Sequence, residues 1–328
     1  MRVAILGLVV LLGLLPSYDS LATPSASEPP TRPTDFADPF VARDEHGYVA
    51  FATGAQGRHV QVARSRDLRS WTPPTDALPA LPPWAARVDG LTWAPSVLRR
   101  GAGWVMYFTT RHAASGFQCI GRARSASSVG PYVDDSSAPF VCRPELCGDI
   151  DPSPHVAPDG RAWLLWKSDE NAEGCKGRSR IWSQQLENDG LSLIGSPRVL
   201  LTTDRDWERP LIEGPSMIHD AGRTYLFYSA AWYEGPGYAI GYATCDGPAG
   251  PCTKQTRDGP FLGSAGSTLG PGGQELFVDA SGRTWMAYHA WTAPHATYAD
   301  GGVRSLRLAR VRFVAGSPVL AEPDGGTR

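Results

Sequence analysis

The sequence predicts an all-β fold, a five-bladed β-propeller, on three observations. Glycines Gly47, Gly103, Gly160, Gly222 and Gly282 recur at intervals of 56, 57, 62 and 60 residues, close to the period of a propeller blade with its loops. Each is followed by an aromatic, β-branched run of the kind that forms buried strands. The 36 glycines and 29 prolines imply many turns, and no long amphipathic run supports an α/β alternative.

The elements follow in order. Each unit opens with a short strand, turns at its glycine and continues into a second strand, at residues 48–53, 104–109, 162–166, 224–229 and 284–289. Third strands are expected at 59–63, 120–124, 180–184, 238–243 and 305–311. Outer strands are suggested around Trp71, around Tyr132 and Phe140, at 191–193, and at Phe261. Solenoid coils usually take fewer than about 60 residues per turn, so a closed ring is favoured, with the first strand of each blade lining the axis. A two-sheet sandwich is the architecture left to exclude.

The ends carry a different composition. Met1 and Arg2 precede an apolar stretch from Val3 to Leu15 and small residues around Ala22, the pattern of a cleaved secretory signal. The expected organisation is a signal peptide at 1–22, a flexible lead-in at 23–34, the propeller at 35–316 and a tail at 317–328. Localisation is then extracellular, with no membrane contact after cleavage. Lys+Arg 31 against Asp+Glu 33, without a basic run, excludes nucleic acid and anionic membrane as electrostatically favoured partners. A neutral partner fits better, and a monomer is expected. The six cysteines lack the paired short spacings of a zinc site and suit disulfides. Cys245 and Cys252 bracket a turn-rich Asp-Gly-Pro-Ala-Gly-Pro tip that brings them together; the other pairings stay open.

Nine residues before the five glycines stand Asp38, Ala94, Asp151, Glu213 and Gly273. Taken singly, each acid reads as a turn or cap residue. Three of them in register at the starts of innermost strands would converge on one axis. Burying several carboxylates together is costly unless they bind a metal or raise one another's pKa for a purpose. Asp149 and Glu275 lie close to aligned positions and are weaker candidates.

The ordered set Asp38-Pro39, Trp93-Ala94-Pro95, Ile150-Asp151-Pro152, Glu213-Gly214-Pro215 and Tyr288-His289-Ala290-Trp291 resembles glycoside hydrolase family 43 over residues 35–316. The resemblance implies a five-bladed propeller that hydrolyses arabinofuranosides or xylosides with inversion. By position it implies Asp38 as general base, Glu213 as general acid and Asp151 as the residue that orients the acid and tunes its pKa. Inverting glycosidases hold the two working carboxyls about 6.5–9.5 Å apart, and blades opposed across a narrow axis can supply that separation. The resemblance also implies that Arg304 reaches the sugar and a carboxylate, against a solvated hairpin arginine as the alternative. It points to His289 beside a structural calcium ion in the central channel, as in some members, against a histidine packed in a polar network. No cofactor is required for the reaction. Trp93 and Phe40 are candidate sugar contacts, and Trp232 and Trp291 could stack on sugar faces or belong to the core. Where many relatives carry a histidine in the fifth blade, this chain has Gly272-Gly273-Gln274.

The expected activity is therefore cleavage of α-L-arabinofuranosyl linkages in plant cell-wall arabinan or arabinoxylan. The alternatives are a β-xylosidase on the same frame and a sugar-binding propeller without catalysis, which would have no need of three clustered acids. The Trp-Met-Asn-Asp-Pro and Arg-Asp-Pro motifs of fructan-cleaving propellers are absent.

Overall fold

The structure, a computed structural model, describes residues 30–321. The signal-peptide reading at 1–22 falls outside the described residues, as do most of the lead-in and of the tail. The described chain forms five antiparallel sheets. Blade 1 is β2 (Phe40–Asp44), β3 (Gly47–Thr53), β4 (Val60–Ser65) and β5 (Thr75–Asp76), and blade 2 is β6 (Trp93–Arg100), β7 (Gly103–Arg111) and β8 (Gln118–Ser125). Blade 3 is β9 (Asp149–Val156), β10 (Ala162–Ser168), β11 (Arg180–Leu186) and β12 (Leu193–Thr202). Blade 4 is β13 (Ile212–Asp220), β14 (Arg223–Ala230), β15 (Ala239–Cys245) and β16 (Cys252–Lys254). Blade 5 is β17 (Thr268–Val278), β18 (Thr284–Thr292) and β19 (Ser305–Val314), completed by β1 (Arg32–Asp35) from the other end of the chain, with β20 (Ser317–Leu320) also on β19. This is the five-bladed propeller that the glycine period predicts. The last sheet takes in residues on both sides of the 35–316 span.

The near-continuous apolar second strands are explained by their burial on both faces. Successive side chains of a strand point to opposite sides, so each second strand serves two seams. In β7, Met106 and Phe108 pack toward blade 1 while Val105 and Tyr107 pack toward blade 3. In β10, Leu164 and Trp166 face blade 2 and Leu165 faces blade 4. In β14, Leu226 and Tyr228 face blade 3, while Tyr225 and Phe227 face blade 5. A fifth cluster, with Val41, Ala50, Phe277 and Ala287, joins blade 5 to blade 1. The core is thus a ring of five inter-blade seams around an axis lined by first strands.

The described chain contains three disulfides: Cys119–Cys142, Cys147–Cys175 and the expected Cys245–Cys252. The last pair closes the hairpin between β15 and β16, where the two cysteines are direct cross-strand partners.

Candidate active site

Each first strand carries near the axis, or in blade 1 is closely preceded by, a residue in the left-handed region: Asp38 (φ 51°), Ala94 (φ 42°), Asp151 (φ 57°), Gly214 (φ 54°) and Gly273 (φ 56°). In β6, β9, β13 and β17 the strand pairing shifts register around this residue, the mark of a bulge. Proline follows in four blades, Pro39, Pro95, Pro152 and Pro215, and Gln274 in the fifth. A non-glycine residue held left-handed costs on the order of 1–3 kcal/mol, so the bulge must be fixed by its surroundings.

This register corrects one sequence expectation. The residue of blade 4 equivalent to Asp38 and Asp151 is Gly214, and Glu213 stands one position earlier. The reason is the hairpin turn. Blades 1, 2 and 4 share a two-residue hairpin turn, but Gly47 and Gly103 open the second strand, opposite Asp44 and Arg100, whereas Gly222 is the last residue of its turn and Arg223 pairs with Asp220. Counting from the glycine therefore slips by one. Glu213 nevertheless faces the same funnel as Asp38 and Asp151, a cavity of about 520 Å³ lined by all five blades.

The bulges are held by a ring of side chains from the second strands. The Ala94 amide donates to Thr53 Oγ1 (3.0 Å), the Asp151 amide to Thr109 Oγ1 (3.1 Å), the Gly273 amide to Ser229 Oγ (2.8 Å) and the Asp38 amide to His289 Nδ1 (3.0 Å). Each bond crosses from one blade to its neighbour. The Gly214 amide instead donates to Asp151 Oδ2 (3.0 Å).

The two sides of the funnel differ electrically. On one side, Asp38 accepts from the Thr53 hydroxyl (2.6 Å) and lies 3.5 Å from Arg304 Nη1. Burial would raise the Asp38 carboxyl, but the Arg304 charge and the Thr53 hydroxyl outweigh it and hold the group below the ordinary aspartate value. Burial, then the Arg304 charge, pushes the His289 imidazole down to about 3, so it is neutral near pH 7 and Arg304 is the cation that acts on Asp38. Arg304 is no solvated hairpin residue. Its guanidinium lies over the Tyr233 and Tyr298 rings at 4.8 and 5.5 Å and donates to Tyr298 Oη (2.9 Å), which in turn donates to Asp35 (3.0 Å).

On the other side, burial and then the charge of Glu213 push the Asp151 carboxyl up to about 8, with Asp38 adding and Lys167 opposing. Glu213 Oε1 accepts from Tyr238 Oη (2.8 Å), and Oε2 lies 3.3 Å from Lys167 Nζ. Asp151 thus holds a proton near neutrality beside Glu213, while Asp38 stays ionised. Gly272 makes room for this arrangement: a Cβ there would lie 1.9 Å from the Tyr238 ring. A Cβ on Gly273 would lie 2.7 Å from Asp38 Oδ1 and 2.6 Å from His289, so the fifth blade has glycines where a larger residue would displace the site.

Phe40 and Trp93 line the funnel, as does Trp232, half exposed at the rim. Trp291 is fully buried, its indole donating to Tyr233 O (3.0 Å), and belongs to the core. Asp149 is also buried, tied to Arg143 and to the Trp166 indole outside the funnel. Glu275 forms part of the funnel lining and accepts from the Ser153 and Ser216 hydroxyls. The channel donor set does not suit direct metal ligation by His289. A neutral imidazole whose Nδ1 accepts an amide proton carries its own proton on Nε2, and this buried nitrogen then presents a donor rather than a lone pair. Among the described residues, the single three-residue cluster with metal-ligating atoms is His112, Cys119 and Cys142, whose cysteines are joined to each other.

The family model for glycosyl hydrolases family 43 matches residues 28–318. A crystal structure of a thermostable family-43 glycoside hydrolase shares 27% identity, covers 90% of this chain and 95% of its own, and superposes with a TM-score of 0.76. The endo-1,4-β-xylanase of Bacteroides thetaiotaomicron shares the fold at 24% identity, 90% and 97% coverage and a TM-score of 0.73. The α-L-arabinofuranosidase of Lactobacillus brevis does so at 20% identity, 88% and 95% coverage and a TM-score of 0.73. No curated protein matches the chain at a significant level.

Proposed function

Since the chain belongs to glycosyl hydrolase family 43, a family of glycoside hydrolases, we propose that it cleaves α-L-arabinofuranosyl linkages of arabinan or arabinoxylan with inversion. The observation that carries this reading is the split in charge state across one funnel. Asp38, held ionised by Arg304, takes a proton from a water as it attacks the anomeric carbon. Glu213 gives its proton to the departing glycosidic oxygen. Asp151, bonded to the Gly214 amide beside it, orients the acid and tunes its pKa. No step uses a metal. The apolar 3–15 segment and the three disulfides support secretion, and the enzyme would work as a monomer on plant cell-wall polysaccharide.

The test is proton NMR of the first-formed sugar from an aryl α-L-arabinofuranoside, beside product chromatography from arabinan, arabinoxylan and an aryl β-xyloside. Initial release of the inverted anomer is expected. Preference for the xyloside moves the enzyme to the β-xylosidase reading, and a retained anomer or binding without turnover overturns the mechanism.

Asp151→Asn should keep the acceptor for the Gly214 amide but lose the neighbouring charge. The acid must be protonated to work, and a nearby anion keeps it so to higher pH. The basic limb of kcat/KM should therefore move to lower pH in this variant. An unmoved limb would separate Asp151 from acid catalysis.

A further inference from the structure

Lys167 breaks a pattern that the other four blades keep. Strand pairing places it opposite Ile150, just as Thr109 stands opposite Trp93, Ser229 opposite Glu213 and His289 opposite Gly272. Thr53 takes the same place in blade 1, its amide donating to Ala37 O. At this position Thr53, Thr109, Ser229 and His289 each accept the bulge amide of the neighbouring blade. An ammonium has no lone pair and cannot accept. The Gly214 amide turns to Asp151 instead, and Lys167 reaches the residue before it, Glu213.

We propose that Lys167 is a positioning residue for the hydrolysis: its ammonium fixes Glu213 in the funnel and counterbalances Asp151, so that Glu213 can surrender its proton to the leaving oxygen.

The inference rests on Glu213 being the proton donor. The Lys167 side chain is only 1% exposed, and its Nζ lies 2.9 Å from Asp169 Oδ1 and 3.3 Å from Glu213 Oε2. The titratable groups that face it are Asp169 from its own strand end, Glu213 from β13 and Asp151 from β9, with Tyr238 on the far side of Glu213. Burial opposes the ammonium, but Glu213, Asp169 and Asp151 outweigh it and hold it charged. Arg304 serves Asp38 on the opposite side. When the glycosidic bond breaks, the proton on Glu213 passes to the departing oxygen, and a proton of the attacking water passes to Asp38. Glu213 then carries a negative charge in a buried site beside other carboxyls, where like charges repel strongly. Lys167 keeps its protons throughout and offsets that charge. Together with Tyr238 it engages both carboxylate oxygens, which sets the direction of the acid.

Rate profiles against pH, with two aryl arabinofuranosides of differing leaving-group acidity, test this in three variants of the full chain. In Lys167→Met the basic limb of kcat/KM should rise by about 1–3 pH units, the size of effect an opposite charge has at this range. Its rate should fall more on the poorer leaving group. Lys167→Arg should restore the limb toward that of the native enzyme. Asp169→Asn frees the ammonium from a competing anion and should move the limb down. A merely structural lysine would lower the melting temperature and leave the limb in place. An unmoved or lowered limb in folded Lys167→Met overturns the inference, as does a raised limb in Asp169→Asn, which decides alone should Lys167→Met fail to fold. Failure of the donor assignment is distinct: Glu213→Ala would then lose activity equally on both substrates.

Discussion

Asp38→Ala is expected to lose about 10²–10⁴-fold in kcat on arabinan and on an activated aryl arabinofuranoside alike. Water activation is needed whatever group departs, so a better leaving group does not compensate for a missing base. Truncation also removes the acceptor of the Thr53 hydroxyl and leaves Arg304 without its nearest carboxylate. Asp38→Asn is therefore the closer control, preserving shape while lacking the charge. Asp38→Asn should bind arabino-oligosaccharide and melt close to the native protein. Substantial turnover of the activated substrate by either variant would remove Asp38 from the role of base.

Glu213→Ala should behave differently on the two substrates. Protonation of the departing oxygen matters when the leaving group is poor, so cleavage of natural linkages should fall by about 10²–10⁴-fold. A glycoside of an acidic phenol should retain much of its rate. The same variant should lose the basic limb of its pH profile on the activated substrate, because no acid remains to be deprotonated. Equal loss on both substrates would place Glu213 outside proton donation.

The ring of blades was legible because its causes are local. A glycine at each hairpin and an apolar run after it recur with one period, and burial of each second strand on both faces demands that run. The positions of Asp38 and Asp151 followed from the same count. Glu213 also came out, although its register was off by one: a two-residue turn can be followed by its glycine, as at Gly47 and Gly103, or can end on it, as at Gly222, and sequence spacing does not distinguish the two. Lys167 was missed for a related reason. Aligned at their sixth residues, the second strands read Thr53, Thr109, Lys167, Ser229 and His289, but the blade 3 run looks complete at Trp166. A lysine closing a buried strand was the available signal. Tyr238 and Tyr298 gave none, since their roles arise only where separate segments meet: Tyr238 on Glu213, Tyr298 between Arg304 and Asp35. The direction of Arg304 was undecided in the sequence and is set by two tyrosine rings.

The pairing of β1 with β19 brings residues some 270 positions apart against each other directly beside Asp38. The Phe36 amide donates to Arg304 O (2.8 Å), the Arg304 amide to Asp35 (3.2 Å), and the Asp38 amide to His289, all across the same seam. A growing chain that has made four blades already holds Asp151, Lys167 and Glu213, yet has no arginine to keep Asp38 charged. Hydrolytic competence would therefore be the final property acquired during synthesis. It would also be the earliest one forfeited when the clasp between beginning and end loosens, before the other four seams are disturbed.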